Sequence, residues 1–183
     1  VLCVDKTGTI TRPDMSVSDV VFLKDNVGKL IAGVAGNMDD DNETMKAIKD
    51  YYHITGRDNS AERVYSFSSQ NKYSGAVLDG RCYIFGAPEY VLLDTYAEYE
   101  DIFERYSGHG ERILVFGECV GDPCGNIIEE AVNPYAFIIL ENEIRDTAKE
   151  TFGYFASQGV DIVVISGDNP VTASKVAVRA GIN

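Results

Sequence analysis

Residues Val1–Thr9, with the sequence VLCVDKTGT, decide the fold of one part of this chain. Four apolar residues predict a buried strand that ends at Asp5, and a polar loop with Gly8 and Pro13 follows it. In an open parallel sheet, a carboxylate at the C-terminal edge of a strand lies where such folds bind ligands. It can attack a phosphoryl group there while backbone N–H groups of the loop hold phosphate oxygens. The alternative is that Asp5 only caps a turn.

The C-terminal part of the chain predicts the same kind of domain. An amphipathic helix is predicted over Ile144–Ser157, and a continuous apolar strand over Asp161–Ile165. A polar turn then leads into a second helix, Pro170–Gly181, which has proline at a start position. Helix, buried strand, polar loop and helix is the order of a parallel α/β fold.

The middle of the chain has a different pattern, with many short strands and few helices. Turn residues occur at Asn26–Gly28 and at Asp79-Gly80, and acidic residues at Asp39–Asn42 predict a helix start. Short helices are predicted from Pro88 and over Ala97–Tyr106. The predicted strands are Ser16–Leu23, Arg63–Ser68, Ser74–Leu78, Cys82–Phe85, Ile113–Val120 and Tyr135–Leu140.

These patterns predict one domain inserted into another. Residues 14–140 are expected to form an α+β domain, an antiparallel sheet with flanking helices. It is inserted into a truncated α/β, Rossmann-like domain, whose pieces are residues 1–13 and 141–183. Because the chain opens inside a strand and has no initiating Met, we expect it to be a piece cut from a longer protein.

Composition excludes some classes of function. The chain has 16 basic and 29 acidic side chains, and this net charge of -13 disfavours nucleic acid binding through a positive field. No apolar run approaches the ~18 residues of a membrane span. The four cysteines form no CxxC pair, which favours reduced thiols over a zinc site; they are Cys3, Cys82, Cys119 and Cys124.

The run Asp5-Lys6-Thr7-Gly8-Thr9 resembles the phosphorylation signature of the P-type (E1-E2) cation-transporting ATPases, in the haloacid-dehalogenase-like superfamily. Phosphatases of that superfamily carry a second Asp two residues after the nucleophile, as general acid and base. Thr7 stands there in this chain, and a threonine performs that proton transfer poorly, so a persistent phosphoenzyme is expected. The resemblance implies catalytic roles for Asp5, Lys6 and Thr7, with Asp5 and Thr7 at the metal.

Two more segments near the C-terminus resemble motifs of the same family. Residues Ile165–Asn169 are similar to its TGDN loop, with Ser in place of Thr. This implies that Ser166 contacts the phosphoryl group and that Asp168 organises the Mg-ATP site. Arg145 is the one residue kept from a DPPR-like hinge, and the resemblance places it among the cofactor-binding residues. Its alternative is an exposed arginine at a helix start.

The central domain contains a stretch, Phe67–Lys72, similar to the nucleotide pocket of these ATPases. The resemblance implies that Phe67 stacks on adenine, which is worth about 1–3 kcal/mol per base. It also implies that Lys72 lines the pocket, where it can approach the phosphates as a point charge. Taken alone, Phe67 would be interpreted as a core residue of a strand.

Other pocket residues follow from the same resemblance. Residues Gly86–Glu89 resemble the KGAPE motif, but Phe85 replaces its lysine, which lowers affinity or gives the pocket an apolar lining. Gly86 would let the backbone approach the base closely. Glu43 matches a glutamate that touches the adenine amino group, or else it is a helix N-terminal carboxylate. Arg112 matches an arginine near the phosphates, or else it is an exposed strand-edge residue.

The function implied is ATP hydrolysis through an aspartyl phosphate, coupled to cation transport, with ATP and Mg²⁺ as cofactors. The chain is expected to be the cytoplasmic portion of an integral membrane protein in a bacterial cell membrane. Within the family, it is expected to belong to the calcium-related branch. Its partners would be its own transmembrane and actuator domains, with the transported cation bound only by membrane helices.

The family's GDGxND loop is missing from this sequence, and that loop supplies an aspartate that binds Mg²⁺. We therefore expect the piece to bind nucleotide without being catalytically complete. Any dimer formed through its open strand edges would follow from the cut. Two alternatives stay open: a phosphatase of the same superfamily with an inserted cap, and a non-catalytic module that binds a nucleotide or a partner.

Overall fold

The computed structural model describes residues 1–39, 42–107, 111–124, 127–166 and 170–182. Its strands are β1 (Leu2–Asp5), β2 (Thr11–Phe22), β3 (Arg63–Tyr65), β4 (Tyr73–Leu78), β5 (Arg81–Gly86), β6 (Arg112–Glu118), β7 (Asn133–Ile144) and β8 (Ile162–Ile165). Its α-helices are α1 (Val27–Gly36), α2 (Glu43–Tyr51), α3 (Pro88–Val91), α4 (Glu100–Ser107), α5 (Ala148–Ser157) and α6 (Pro170–Arg179). A 3-10 helix spans Leu93–Tyr99.

Six strands form one antiparallel sheet in the order β2-β7-β6-β5-β4-β3. Because successive side chains of a strand point to opposite faces, both faces of this sheet bury apolar groups. On one face, Tyr83 and Phe85 of β5 pack in a core with α1 and α2. On the other face, Cys82 and Ile84 share a core with α3 and α4. The predicted antiparallel sheet with flanking helices is therefore confirmed.

A second, two-stranded sheet joins the two ends of the chain. Strand β1 pairs parallel to β8, with Asp5 opposite Ile165. Its apolar side chains form a separate core with α5 and α6, in which Val4 packs near Phe152 and Val176. The parallel α/β order predicted for the two ends is confirmed.

Two long strands, β2 and β7, connect the small sheet to the large one. They pair from Thr11 opposite Ile144 to Phe22 opposite Ala136, with a register shift between Thr11 and Met15. The predicted domain boundaries, after residues 13 and 140, lie inside these continuous strands. The division of the chain into domains stays a prediction.

Several element bounds differ from the sequence-based prediction. Helix α1 begins inside the predicted turn Asn26–Gly28: Asn26 has a left-handed φ of 60°, but Val27 and Gly28 already belong to the helix. The predicted helix start at Ile144 is wrong, since Ile144 pairs with Thr11 in β7 and α5 begins later. The predicted strand Arg63–Ser68 ends at Tyr65, which leaves Phe67 in a loop.

No helix in the part of the chain that the structure describes is both long enough and apolar enough to cross a membrane.

Candidate functional site

The large sheet carries a cavity of about 550 Å³ where β5 ends and where β4 and β6 begin. Its wall includes the start of α2, the loop between β3 and β4, and α3. Three of the predicted nucleotide-binding residues line it, namely Phe67, Lys72 and Arg112. The volume lies within the range of about 300–1,000 Å³ that is usual for small-molecule pockets.

Phe67 presents an aromatic face to this cavity. Its side chain is 47% exposed, so its interpretation as a core residue of a strand is wrong. The loop that carries it is closed by two hydrogen bonds to Ser68: Lys72 N donates to the carbonyl oxygen at 2.9 Å, and Asn71 N to the hydroxyl oxygen at 3.0 Å. An accessible ring on a closed loop is a suitable surface for stacking a base.

Lys72 is held at the cavity by backbone and aromatic contacts. Its φ of 59° is left-handed, and its carbonyl oxygen accepts a hydrogen bond from Ala87 N at 3.3 Å. Its Nζ lies 5.9 Å from the centroid of the Tyr90 ring, within the range of a cation–π contact. The loop of Phe67 is therefore tied directly to the segment that resembles the KGAPE motif.

The charges that line the cavity are mixed. Arg112 is the first residue of β6 and is exposed, and it adds a second positive charge to that of Lys72. Glu89 and Glu111 line the cavity as well. Two cations and two carboxylates therefore line the cavity.

Glu43 lies beside the cavity and not in its wall. It is the exposed first residue of α2, whereas its neighbours Asn42, Thr44 and Met45 line the cavity. The Asn42 side chain caps the helix by accepting a hydrogen bond from Met45 N at 2.9 Å. This placement favours the helix N-terminal interpretation of Glu43, and its contact with adenine stays a prediction.

Phe85 and Gly86 have clear packing roles. Phe85 lines the cavity, is 2% exposed, and packs on Phe116 with ring centroids 4.9 Å apart. The position that is lysine in the KGAPE motif is therefore an apolar part of the wall. A Cβ on Gly86 would lie 2.3 Å from Val91 Cγ1, so this glycine lets α3 pack closely on the sheet.

Asp5 occupies the edge of the small sheet where ligands bind in such folds. It is the exposed last residue of β1, and Ser166 directly follows β8, so both lie at the C-terminal ends of parallel strands. The chain then turns through Gly8, whose φ is 80°, and Thr11 N donates to the Lys6 carbonyl oxygen. Lys6 is buried and Thr7 is exposed.

Arg145 holds the loop that follows Asp5. Its guanidinium donates to the Gly8 carbonyl oxygen at 2.6 Å and to the Thr9 carbonyl oxygen at 3.1 Å. Its backbone N–H also donates to the Ile10 carbonyl oxygen at 3.0 Å. The structure therefore places Arg145 at the predicted phosphorylation loop and not at the cavity.

Two of the predicted catalytic residues, Ser166 and Asp168, follow strand β8. Asp168 lies outside the described residues, and Ser166 is half-buried. Within the described ranges, no group of three or more His, Cys, Asp or Glu side chains is placed to hold a metal ion.

The sequence analysis missed three aromatic residues of the cavity wall: Tyr90, Tyr96 and Phe103. Tyr90 follows the GAPE segment directly, so its position in the sequence could have indicated it. Tyr96 and Phe103 reach the cavity from the 3-10 helix and α4, which only the packing shows. Burial raises the pKa of Tyr96 above its ordinary value.

Replacing Arg145 by Ala should loosen the loop after Asp5. Both guanidinium hydrogen bonds to the loop are lost, and at a loss of about 1 kcal/mol the Thr11 amide would exchange roughly fivefold faster. Hydrogen exchange followed by NMR measures this, with Arg57→Ala as the control because Arg57 pairs with Asp39. Unchanged exchange at Thr11 would show that Arg145 does not hold the loop.

Comparison with known proteins gives the family. The model of the haloacid dehalogenase-like hydrolase family matches residues 1–183. The calcium-transporting ATPase CtpE of Mycolicibacterium smegmatis is 36% identical over 185 residues, covering 100% of this chain and 23% of that protein. The potassium-transporting ATPase ATP-binding subunit of Xanthomonas axonopodis pv. citri is 25% identical over 191 residues, covering 100% of this chain and 27% of that protein. The chain thus spans about a quarter of the length of these relatives.

Solved structures show the same fold at low identity. A zinc-transporting PIB-type ATPase in the E2.Pi state has a TM-score of 0.70 at 18% identity, covering 99% of this chain and 28% of that one. The catalytic domain of the CPx-ATPase CopB-B has a TM-score of 0.66 at 12% identity, covering 100% of this chain and 60% of that one. The fold, the aspartate at the end of β1 and the match over its full length show that this chain belongs to the haloacid dehalogenase-like hydrolase family.

Proposed function

We propose that this chain is the ATP-binding, cytoplasmic part of a P-type ATPase that moves a cation across a bacterial membrane. The observation that carries the proposal is the position of Asp5, at the C-terminal end of β1 and directly before the loop held by Arg145. The names of the relatives, one a calcium-transporting ATPase and one an ATP-binding subunit, support the same class of protein. Residues 14–140 would be the nucleotide-binding domain, and residues 1–13 and 141–183 the pieces of the phosphorylation domain.

ATP would bind in the cavity of the large sheet. Phe67 stacks on the base, and Phe85 gives the wall an apolar surface. Lys72 and Arg112 supply positive charge for the phosphates. With no lysine at position 85, we expect weak binding, with a Kd on the order of 1 mM, or about -4 kcal/mol.

The chemical step would take place on Asp5. A carboxylate oxygen of Asp5 attacks the γ-phosphorus, the bond from that phosphorus to the bridging oxygen of ADP breaks, and ADP leaves. Thr7 cannot act as a general base for hydrolysis, so the aspartyl phosphate persists while the protein changes conformation. Arg145 and Gly8 set the shape of the loop, and a closing movement of the two domains brings ATP to Asp5.

Mg²⁺ fits this arrangement as a partner of the phosphates. Such sites hold it with one or two carboxylates plus phosphate oxygens and water. Asp5 and Thr7, both exposed at the edge of the small sheet, would hold the ion. Its charge would offset the negative charge of the transferring phosphoryl group.

Titration of this chain with ATP, followed by amide NMR shifts, tests the nucleotide site. We expect shifts that cluster on Phe67, Lys72, Gly86 and Arg112 and that saturate at millimolar ATP. The absence of shifts in this cluster would contradict the assignment of the cavity, and the proposal for Asp5 would then stand alone. Steady phosphatase turnover with Mg²⁺ would favour a phosphatase with an inserted cap.

Replacing Phe67 by Ala should weaken ATP binding about fivefold to 150-fold, because base stacking on an aromatic ring is worth about 1–3 kcal/mol. The same NMR titration measures the loss. Phe22→Ala is a matched control, since Phe22 is 51% exposed and Phe67 is 47% exposed, but Phe22 is not among the residues that line the cavity. Equal weakening by both variants would mean that Phe67 has no specific contact with the base.

A further inference from the structure

A second cavity, of about 360 Å³, lies at the other end of β5 and β6. Two thiols line it together, Cys82 in β5 and Cys119 directly after β6. Tyr83 is opposite Glu118 in the β5–β6 register, so the next pair along the two strands is Cys82 with Cys119. Cys119 N donates to the Cys82 carbonyl oxygen at 2.9 Å, which extends the ladder to this pair.

This backbone pairing places the two cysteines where a disulfide could join them. Opposed residues of a hydrogen-bonded antiparallel pair have Cα atoms about 5.5 Å apart, within the range of roughly 4.4–6.8 Å that a disulfide requires. The two thiols also influence each other's ionisation. The neighbouring Cys119 thiol lowers the pKa of Cys82, and the neighbouring Cys82 thiol raises the pKa of Cys119.

The surroundings allow a small reagent to reach the pair. Cys82 is 4% exposed, whereas Cys119 is half-buried and opens to the cavity. Arg63 and Asp122 line the same cavity and form an ion pair with each other. The positive charge of Arg63 favours a Cys82 thiolate, and the negative charge of Asp122 opposes it.

We propose that Cys82 and Cys119 form a dithiol site that an oxidant of the peroxide class converts reversibly to a disulfide. The Cys82 thiolate attacks a peroxide oxygen, the O–O bond breaks, and the released hydroxide takes up a proton to become water. The sulfur of Cys119 then attacks the Cys82 sulfenic acid, forming the S–S bond and breaking the S–O bond, and a second water leaves. With hydrogen peroxide as the oxidant, two thiols are oxidised and one peroxide molecule is reduced to two waters.

The disulfide would join two strands that also build the nucleotide cavity, without blocking that cavity. Cys82 is three residues from Phe85 along β5, about 10 Å. The site is independent of the proposed ATPase function, since either can fail without the other. Cys124 is a competing thiol, because it is exposed and its sulfur lies 3.6 Å from Arg63 Nη1.

Oxidation of the whole chain with hydrogen peroxide, followed by alkylation and peptide mass mapping, tests the pairing. We expect loss of two hydrogen atoms and a Cys82–Cys119 link that dithiothreitol reverses. Cys119→Ser should abolish the link, while the exposed-thiol variants Cys3→Ser and Cys124→Ser should retain it. A link from Cys119 to Cys124, or full alkylation of both thiols after oxidation, would overturn the proposal.

A second probe reports the distance between the thiols without any oxidant. Phenylarsine oxide bridges two neighbouring thiols through its trivalent arsenic and releases one water. We expect one arsenical bound to each wild-type chain and to each Cys124→Ser chain, and none to the Cys119→Ser chain, by intact mass. Binding that persists in Cys119→Ser would show that another pair of thiols is responsible and would contradict the assignment.

Discussion

Replacing Asp5 by Asn abolishes ATP turnover in the full-length ATPase that we propose, by at least about a thousandfold. An amide cannot serve as the nucleophile that forms the acyl phosphate, and loss of a nucleophile is among the largest effects of a single substitution in an enzyme. Asp5 is exposed at the end of β1, so the change should leave the fold intact. Turnover and acid-stable labelling from ATP carrying a labelled γ-phosphate measure the effect.

Asp161→Asn is the matched control for this prediction. Asp161 is also exposed, and its replacement by Asn removes the same negative charge at the opposite end of the small sheet. There, the Asp161 carbonyl oxygen accepts a hydrogen bond from Leu2 N at 2.7 Å. It should retain turnover and labelling. A full-length Asp5→Asn protein that still hydrolyses ATP and transports its cation would refute the role of Asp5.

Replacing Gly75 by Ala should destabilise the fold of the large sheet by about 3 kcal/mol or more. Gly75 lies in β4 opposite Ile84, and a Cβ there would be 2.2 Å from the Tyr83 carbonyl oxygen and 2.9 Å from Ile84 Cα. Both are backbone atoms of β5, so relief requires the two strands to separate. Because β4 and β5 supply Ser74 and Phe85 to the cavity, ATP binding should fall as well.

Urea denaturation of this chain measures the free energy of unfolding. Gly153→Ala is the control, since Gly153 lies in α5 and a Cβ there would meet no atom within 4 Å. Gly153→Ala should raise the free energy of unfolding by about 0.5–1 kcal/mol, because alanine restricts the unfolded chain and favours the helix. Equal stability of the Gly75→Ala and wild-type chains would mean that β4 and β5 lie farther apart than the structure shows.

Local sequence patterns predicted most elements of the large sheet. Asp79-Gly80 turns the chain between β4 and β5 with positive φ at both residues, as its sequence predicts. Helix α1 was missed, because its glycines and its turn-like start at Asn26 outweighed the apolar spacing in the local pattern. The predicted strand was also shorter than β7. Its last residue, Ile144, belongs to the strand because it pairs with Thr11, which is distant along the chain.

The candidate site divides in the same way. The motif Asp5–Thr9, the apolar strand before it and their resemblance to a family can all be recognised from the sequence alone. The reason is that strand and turn here depend only on residues that are neighbours in the chain. Phe67 and Lys72 share one loop, so the sequence also predicted that they act together. Arg145 is different: its contacts are with Gly8 and Thr9, which are far from it along the chain.

The sequence by itself determined the fold class, the resemblance of residues 5–9 to a phosphorylation motif, and the residues that lie beside one another in short segments. Only the tertiary structure decided that Arg145 supports the loop of Gly8, that Phe85 and Tyr96 belong to one cavity wall, and that Cys82 meets Cys119. The reason is physical. Turns and strand periodicity depend on neighbours in the chain, whereas contacts across a sheet depend on the register that the packed core selects.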